Sequence, residues 1–123
     1  IEIILNVADE MIKSIKINEK RMYEESKKGY TTATDLADWM VRKIGLTFRD
    51  AHHKTGRIVL LAEKEKKMLY QLDLDDFKKI EPKINKDIYD IILPEKSISN
   101  KKSYGGTSLK QVDMAIKRAK KII

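Results

Sequence analysis

Apolar residues recur at intervals of three and four along the first 16 positions, and this spacing predicts an amphipathic helix. The predicted apolar face consists of Ile1, Ile4, Leu5, Ala8, Met11, Ile12 and Ile15. A short second helix is predicted from Asn18, whose side chain can cap its first turn, through Lys28. Gly29 then provides a stop, because glycine readily takes the left-handed conformation that closes many helices.

The next two predicted helices are separated by only a few residues around Gly45. The first covers residues 33–44, and the pattern Thr32-x-x-Asp35 is typical of a capping box at its start. Its apolar stripe consists of Ala33, Leu36, Ala37, Met40, Val41 and Ile44. Because the connection is so short, we expect the two helices to form a tight helix-turn-helix pair.

The second helix of the pair begins with the same kind of signal, Thr47-x-x-Asp50, and fades into a charged run after residue 62. Its predicted inward positions are Phe48, Ala51, His52, Thr55, Ile58 or Val59, and Ala62. In this helical phase His52 lies on the apolar stripe and His53 does not. We therefore predict that His52 is buried and hydrogen-bonded, whereas Arg49 and Asp50 lie at the rim of the packing.

Two shorter helices follow. Asp73 can cap a helix that runs through Ile80, and Asn85 can cap another that ends before Pro94. Residues 95–107 are polar, and we predict that they form a loop.

The last helix is predicted to open at the capping pattern Ser108-x-x-Gln111, and its expected inward positions are Leu109, Val112, Ala115 or Ile116, and Ala119. The glycine pair before it, Gly105-Gly106, is not a phosphate-binding loop, because no Gly-Lys-[Ser/Thr] follows a strand. It predicts instead a positive φ angle ahead of a capped helix.

No stretch of the sequence alternates between apolar and polar residues at period two for long, so the expected fold class is mainly α.

Composition limits the chemistry that the chain can carry. Its 123 residues suffice for one domain or slightly more, and the absence of Cys excludes disulfides, thiolate metal sites and a Cys nucleophile. No run approaches the roughly 18 apolar residues of a membrane span. Glu2, Asp9 and Glu10 interrupt the first segment, which is therefore not a signal peptide. The sequence starts at Ile1 inside a helical pattern, so we expect a fragment of a longer protein.

A net charge of +7 raises nucleic-acid binding as an alternative function. The Lys residues are, however, interspersed with Glu and Asp on the predicted helix faces, which favours an ordinary solvated surface. The helix predicted over residues 48–62 also lacks the outward cluster of Arg, Asn and Gln that a recognition helix would present. We therefore expect no nucleic-acid partner and no membrane partner.

The titratable residues do not form an obvious site. Adjacent residues of a helix point about 100° apart, so His52 and His53 cannot face one metal ion. The acids Asp35, Asp38 and Asp50 fit helix-start and surface positions better than a catalytic pair.

Three blocks do carry a family resemblance, and they read Thr32-Ala33-Thr34-Asp35-Leu36-Ala37-Asp38-Trp39, Phe48-Arg49-Asp50-Ala51-His52, and Ser103-Tyr104-Gly105-Gly106-Thr107. In this order and spacing they closely resemble the C-terminal part of argininosuccinate lyase, of the fumarase/aspartase superfamily, over nearly all of the sequence. Trp39 resembles the bacterial form. Thr47 departs from the family, where Pro usually precedes the Phe, but Thr can also begin a helix.

The resemblance implies a C-terminal helical domain at residues 31–123, preceded at residues 1–30 by the end of a long helix of the central bundle. It also implies a cytoplasmic homotetramer that needs no cofactor. Such a carbon–nitrogen lyase cleaves argininosuccinate to arginine and fumarate in arginine biosynthesis and the urea cycle. A related branch, similar to adenylosuccinate lyase, is the alternative, but the first two blocks together favour the argininosuccinate branch.

In this family the catalytic base is a serine in a mobile Gly-Ser-Ser-x-Met-Pro-x-Lys-x-Asn loop, and no such stretch occurs in these residues. No catalytic, cofactor-binding or metal-binding residue is therefore assigned, and we expect this chain alone to be inactive. The domain is expected to support an active site built from three subunits. The helix of residues 1–16, without its bundle, is expected either to fray or to pair with the same helix of a second copy.

Overall fold

The computed structural model describes residues 1–122, and these form helices joined by short turns. The α-helices are α1 (Glu2–Ser14), α2 (Glu19–Ser26), α3 (Ala33–Trp39), α4 (Phe48–Lys64), α5 (Leu74–Ile80), α6 (Tyr89–Ile92), α7 (Pro94–Asn100) and α8 (Leu109–Ala119). A π-helical turn, Met40–Ile44, extends α3, and 3₁₀ turns cover Leu69–Gln71 and Lys86–Ile88. No strand occurs within the described range, so the predicted mainly α fold class is confirmed. Ile123, the last residue of the predicted domain, lies outside that range.

The hydrophobic core lies between α3, α4, α5 and α6. Its largest fully buried side chains are Phe77, Leu36, Met40, Ile58, Leu72, Ile84, Ile88 and Ile92. The Phe77 ring meets Tyr89 edge to face, with ring centroids 6.1 Å apart. Helices α1, α2 and α8 contribute no buried residue. The boundary predicted at residue 31 between a bundle segment and the C-terminal domain stays a prediction.

The predicted helix-turn-helix pair is present as α3 and α4. Gly45 ends the first helix in the left-handed conformation, with φ of 79°, and its N–H donates to the carbonyl of Met40. Thr47 caps α4 as predicted, because its hydroxyl accepts the Asp50 N–H at 3.2 Å. The five-residue π turn before Gly45 widens the last turn of the first helix, and the apolar spacing did not indicate it.

The predicted inward face of α4 is confirmed in part and is wrong at Phe48 and His52. The buried positions are Ala51, Thr55, Ile58 and Ala62. His52 is exposed, and Phe48 keeps 66% of its surface in solvent. Small side chains at positions 51 and 62 let α4 approach its neighbours closely, and this turns the bulkier Phe48 and His52 outward.

Three predicted caps are wrong, those at Thr32, Asp73 and Ser108. Thr32 donates its hydroxyl to the carbonyl of Ile92 at 2.8 Å, so it joins α3 to α6 and does not close a capping box with Asp35. Asp73 makes no side-chain cap on α5, and Ser108 makes none on α8. The predicted caps at Asn18 and Asn85 are confirmed, because each accepts a backbone N–H of its own helix.

The predicted loop at residues 95–107 is also wrong in its first half. Residues Pro94–Asn100 form α7, with Pro at the first helical position, where its missing N–H is not needed. The expected inward face of α8 is wrong as well, since Leu109, Val112 and Ile116 are exposed. Gly105 has a φ of 76°, which confirms the positive angle predicted for the glycine pair.

None of the helices within residues 1–122 is both long and apolar enough to cross a membrane.

Candidate functional site

A cleft of about 580 Å³ lies between α3, its π turn and the end of α7 with the segment that follows it. Its charged lining consists of Asp35, Asp38, Arg42, Lys43, Lys101 and Lys102. Trp39 also lines the cleft and is almost fully buried. The Thr32–Trp39 block that carries the family resemblance thus provides one wall of the cleft.

Asp35 is the most enclosed charge of the cleft, with a side chain only 13% exposed. Its carboxylate accepts a hydrogen bond from the Ser97 hydroxyl at 2.6 Å and another from the Lys101 ammonium. These bonds fix α7 and the residue after it against α3. The carboxylate is thereby compensated by a cation and a hydroxyl, which leaves it poorly suited to act as a free base.

The other charges of the cleft are exposed. Asp38 and Arg42 form an i,i+4 pair at 3.5 Å, and such solvated pairs stabilise a helix only slightly. Lys43 and Lys102 have no carboxylate within 4.0 Å in the part of the chain that the structure describes. The carboxyl ends of α3 with its π turn and of α7 both reach the cleft, and cations complement the negative ends of helices. The lysines and the arginine that line the cleft are therefore explained by their positions at these helix ends.

The histidines lie on α4, away from the cleft. His52 contacts the Phe48 ring, with ring centroids 6.1 Å apart, and His53 points to solvent. Within residues 1–122, no group of three or more His, Asp or Glu side chains could hold a metal ion. The prediction that this segment carries no catalytic, cofactor-binding or metal-binding residue stays a prediction.

The buried carboxylate of Glu81 was not indicated by the sequence. It accepts a hydrogen bond from Lys54 on α4 and another from the Lys83 backbone N–H at 3.0 Å. These donors, Lys54 first, hold the pKa of Glu81 below its ordinary value. On α5, hydrogen bonding from Lys79 likewise lowers the pKa of Asp76. Both groups stabilise the fold and lie outside the cleft.

Solved structures define the class of protein. A variant of EDDS lyase with bound fumarate superposes on the chain with a TM-score of 0.77 at 24% identity, covering 83% of this chain and 22% of that one. EDDS lyase in complex with formate gives a TM-score of 0.75 at 26% identity, with the same coverage. The fold is the one found in lyases of the fumarase/aspartase superfamily.

Sequence comparisons narrow the class to a family. Residues 30–99 match the family described as argininosuccinate lyase C-terminal. Argininosuccinate lyase of Bartonella tribocorum is 43% identical over 112 residues, which cover 91% of this chain and 24% of that protein. The Bartonella bacilliformis enzyme is 45% identical over 102 residues, covering 83% of this chain and 22% of that protein. The chain belongs to the argininosuccinate lyase C-terminal family and spans less than a quarter of the length of these relatives.

Proposed function

We propose that this chain provides the C-terminal domain of an argininosuccinate lyase, and that the whole protein cleaves argininosuccinate to arginine and fumarate. The observation that carries the proposal is the 43% identity to such an enzyme over 91% of the chain. The proposal includes a cytoplasmic homotetramer that works without a cofactor.

The reaction is a β-elimination, in which a base removes a carbon-bound proton and the guanidinium nitrogen leaves. It requires a positioned base and donors that stabilise the enolate-like intermediate. The serine loop that the resemblance assigns to this task does not occur in residues 1–123. The domain therefore contributes structural support to the active site and no catalytic group. Its core of α3 to α6 is a rigid body that supports an active site formed elsewhere in the protein and shifts as that site closes.

The first experiment measures fumarate release by the purified chain alone. We expect no turnover above the uncatalysed background, because packing cannot replace the missing base. Turnover by the isolated chain would contradict this division of roles.

The second experiment replaces the matching C-terminal segment of the Bartonella tribocorum enzyme with this chain. We expect the chimera to assemble and to release fumarate. The control is the same chimera with Met40→Asp, a charge in a fully buried position, which should lose assembly and activity together. A chimera that folds and assembles but has no activity would refute the proposed function.

A further inference from the structure

The cleft between α3 and the end of α7 carries more positive than negative charge. Both of its walls consist of residues between 35 and 103, so its shape is built within this domain. Its charged lining has four cations and two acids, which leaves a net charge of +2: Arg42, Lys43, Lys101 and Lys102 against Asp35 and Asp38.

Two of these cations compensate the two acids. The Lys101 ammonium donates a hydrogen bond to the Asp35 carboxylate, and the Arg42 guanidinium lies 3.5 Å from the carboxylate of Asp38. The net positive charge of the cleft therefore resides on the two remaining lysines.

Those lysines, Lys43 and Lys102, lie on opposite walls of the cleft. Lys43 belongs to the π turn and Lys102 follows α7, and neither forms an ion pair within residues 1–122. Their positions at helix ends are favourable for cations. The carbonyls of Met40 and Asn100 at these ends, however, already accept backbone N–H groups. Both ammonium groups therefore keep their hydrogen-bond donors for a ligand.

Neutral polar groups and an apolar wall complete the lining. The side chains of Asn100 and Ser103 line the cleft, and neither is hydrogen-bonded to another described residue. Trp39 and Ile91 add apolar surface. The volume of about 580 Å³ lies within the range of sites that bind small molecules. Free cations beside neutral donors suit an anion, and two uncompensated lysines match a ligand with two negative charges.

We propose that this cleft binds a small dianion between Lys43 and Lys102, with Asn100 and Ser103 as neutral donors. A phosphate group and a short dicarboxylate share the required charge. This binding site goes beyond the proposed enzymatic function and does not rest on it.

Trp39 can report the ligand directly, because it is the only tryptophan of the chain and lines the cleft. Its fluorescence is followed during titration with inorganic phosphate, succinate or acetate at constant ionic strength. We expect a saturable change with phosphate, with succinate or with both, and none with acetate. A response to phosphate alone would assign the site to phosphate-bearing ligands, and a response to succinate alone to dicarboxylates. No saturable change with either dianion, or an equal change with acetate, would overturn the proposal.

Lys43→Gln/Lys102→Gln is the decisive variant. Both side chains are exposed, so the thermal melt without ligand should be retained, whereas affinity for the dianion should fall by about tenfold or more. The matched control is Lys20→Gln/Lys78→Gln, which removes the same charge from exposed positions outside the cleft. An equal loss of affinity in both variants would show that binding follows the overall charge of the chain and would refute the cleft.

Asp38→Asn tests the opposite direction. It removes a carboxylate that opposes an anion and releases Arg42, so the affinity should rise by about threefold or more. Unchanged or weaker binding would contradict an anion held in this cleft.

The chimera with the Bartonella tribocorum enzyme tests whether the cleft is open in a longer chain. Calorimetry with inorganic phosphate compares this chimera with the same chimera carrying Lys43→Gln/Lys102→Gln. The variant should bind one phosphate fewer per chain, since any phosphate held elsewhere is common to both proteins. Equal numbers of bound phosphate would refute the cleft as a site of the whole protein.

Discussion

The carbonyl oxygen of Lys101 lies 2.2 Å from the position that a Cβ atom would take on Gly106. The same carbonyl accepts the Ser108 N–H at 3.2 Å, so the chain doubles back on itself just before α8. Gly105 supports this turn with a φ of 76°. The glycine pair is therefore required for two different reasons, a left-handed backbone at the first residue and a close backbone approach at the second.

We expect Gly105→Val and Gly106→Val to lower the melting temperature much more than Ser103→Ala. At residue 105 a β-branched side chain in the left-handed region costs about 1–3 kcal/mol. At residue 106 the added carbon must displace backbone atoms of Lys101. Ser103 is exposed, so its truncation should change the free energy of unfolding by less than about 0.5 kcal/mol. Equal melting temperatures for the three variants would rule out both backbone arguments.

The histidine pair provides a second test. The apolar pattern predicts a large loss of stability for His52→Ala and a small one for His53→Ala, but both side chains are exposed. We now expect each substitution to change the free energy of unfolding by less than about 0.5 kcal/mol in the monomer. Leu36→Ala, a fully buried control, should cost about 2–5 kcal/mol. Urea titrations of the three variants can be compared directly, and a loss of stability at His52 near that at Leu36 would restore the predicted burial of His52.

Asp35 should hold α7 in place. Asp35→Ala leaves Ser97 and Lys101 without their acceptor, and we expect a loss of about 1–3 kcal/mol together with faster amide hydrogen exchange in α7. Asp38→Ala is the matched control, because its pair with Arg42 is solvated and should contribute less than about 1 kcal/mol. If exchange in α7 is the same in both variants, the bonds to Asp35 do not anchor that helix.

Acid should destabilise the chain in part through Glu81. Hydrogen bonding from Lys54 lowers the pKa of Glu81 below its ordinary 4.5, so the folded state binds this proton less readily than the unfolded state does. The stabilisation is complete above the unfolded pKa and disappears as the pH falls through the folded one. Glu81→Gln should therefore be less stable at neutral pH and lose less stability below about pH 4.5. Glu63→Gln, at an exposed position, serves as the control. If the Glu81→Gln chain loses as much stability on acidification as the unmodified chain does, this account is contradicted.

Sequence patterns predicted the elements of this fold better than their orientation. Gly45 and Thr47 marked the turn between α3 and α4, because positive φ and N-capping are local properties that a few residues determine. The predicted inward face of α4 was too wide, because periodicity gave similar weight to the stripe through Phe48 and His52 and to the stripe through Ala51 and Thr55. Packing against α3 and α5 favours the small side chains, and a single helix does not contain that information.

The charged cleft could be predicted only in part. The block from Thr32 to Trp39 indicated the family, yet Thr32 and Asp35 were interpreted as a local cap. Their true partners, Ile92 and Ser97, lie 60 and 62 residues further along the chain. A hydroxyl or carboxylate near a helix start fits a cap equally well, so sequence spacing cannot distinguish a local partner from a distant one.

The bond from Thr32 to Ile92 also bears on the order in which the chain acquires structure. Helices α3 and α4 are joined by a short turn and can meet early, whereas the bond between residues 60 apart must wait for the closure of a long loop. During synthesis α3 and α4 leave the ribosome before α6, with Leu36 and Met40 still uncovered. We expect φ-values near one half or above for substitutions between α3 and α4, and values near zero for Thr32→Val. Until α6 emerges, the growing chain presents an incomplete core, and that interval is when a chaperone would have most to bind.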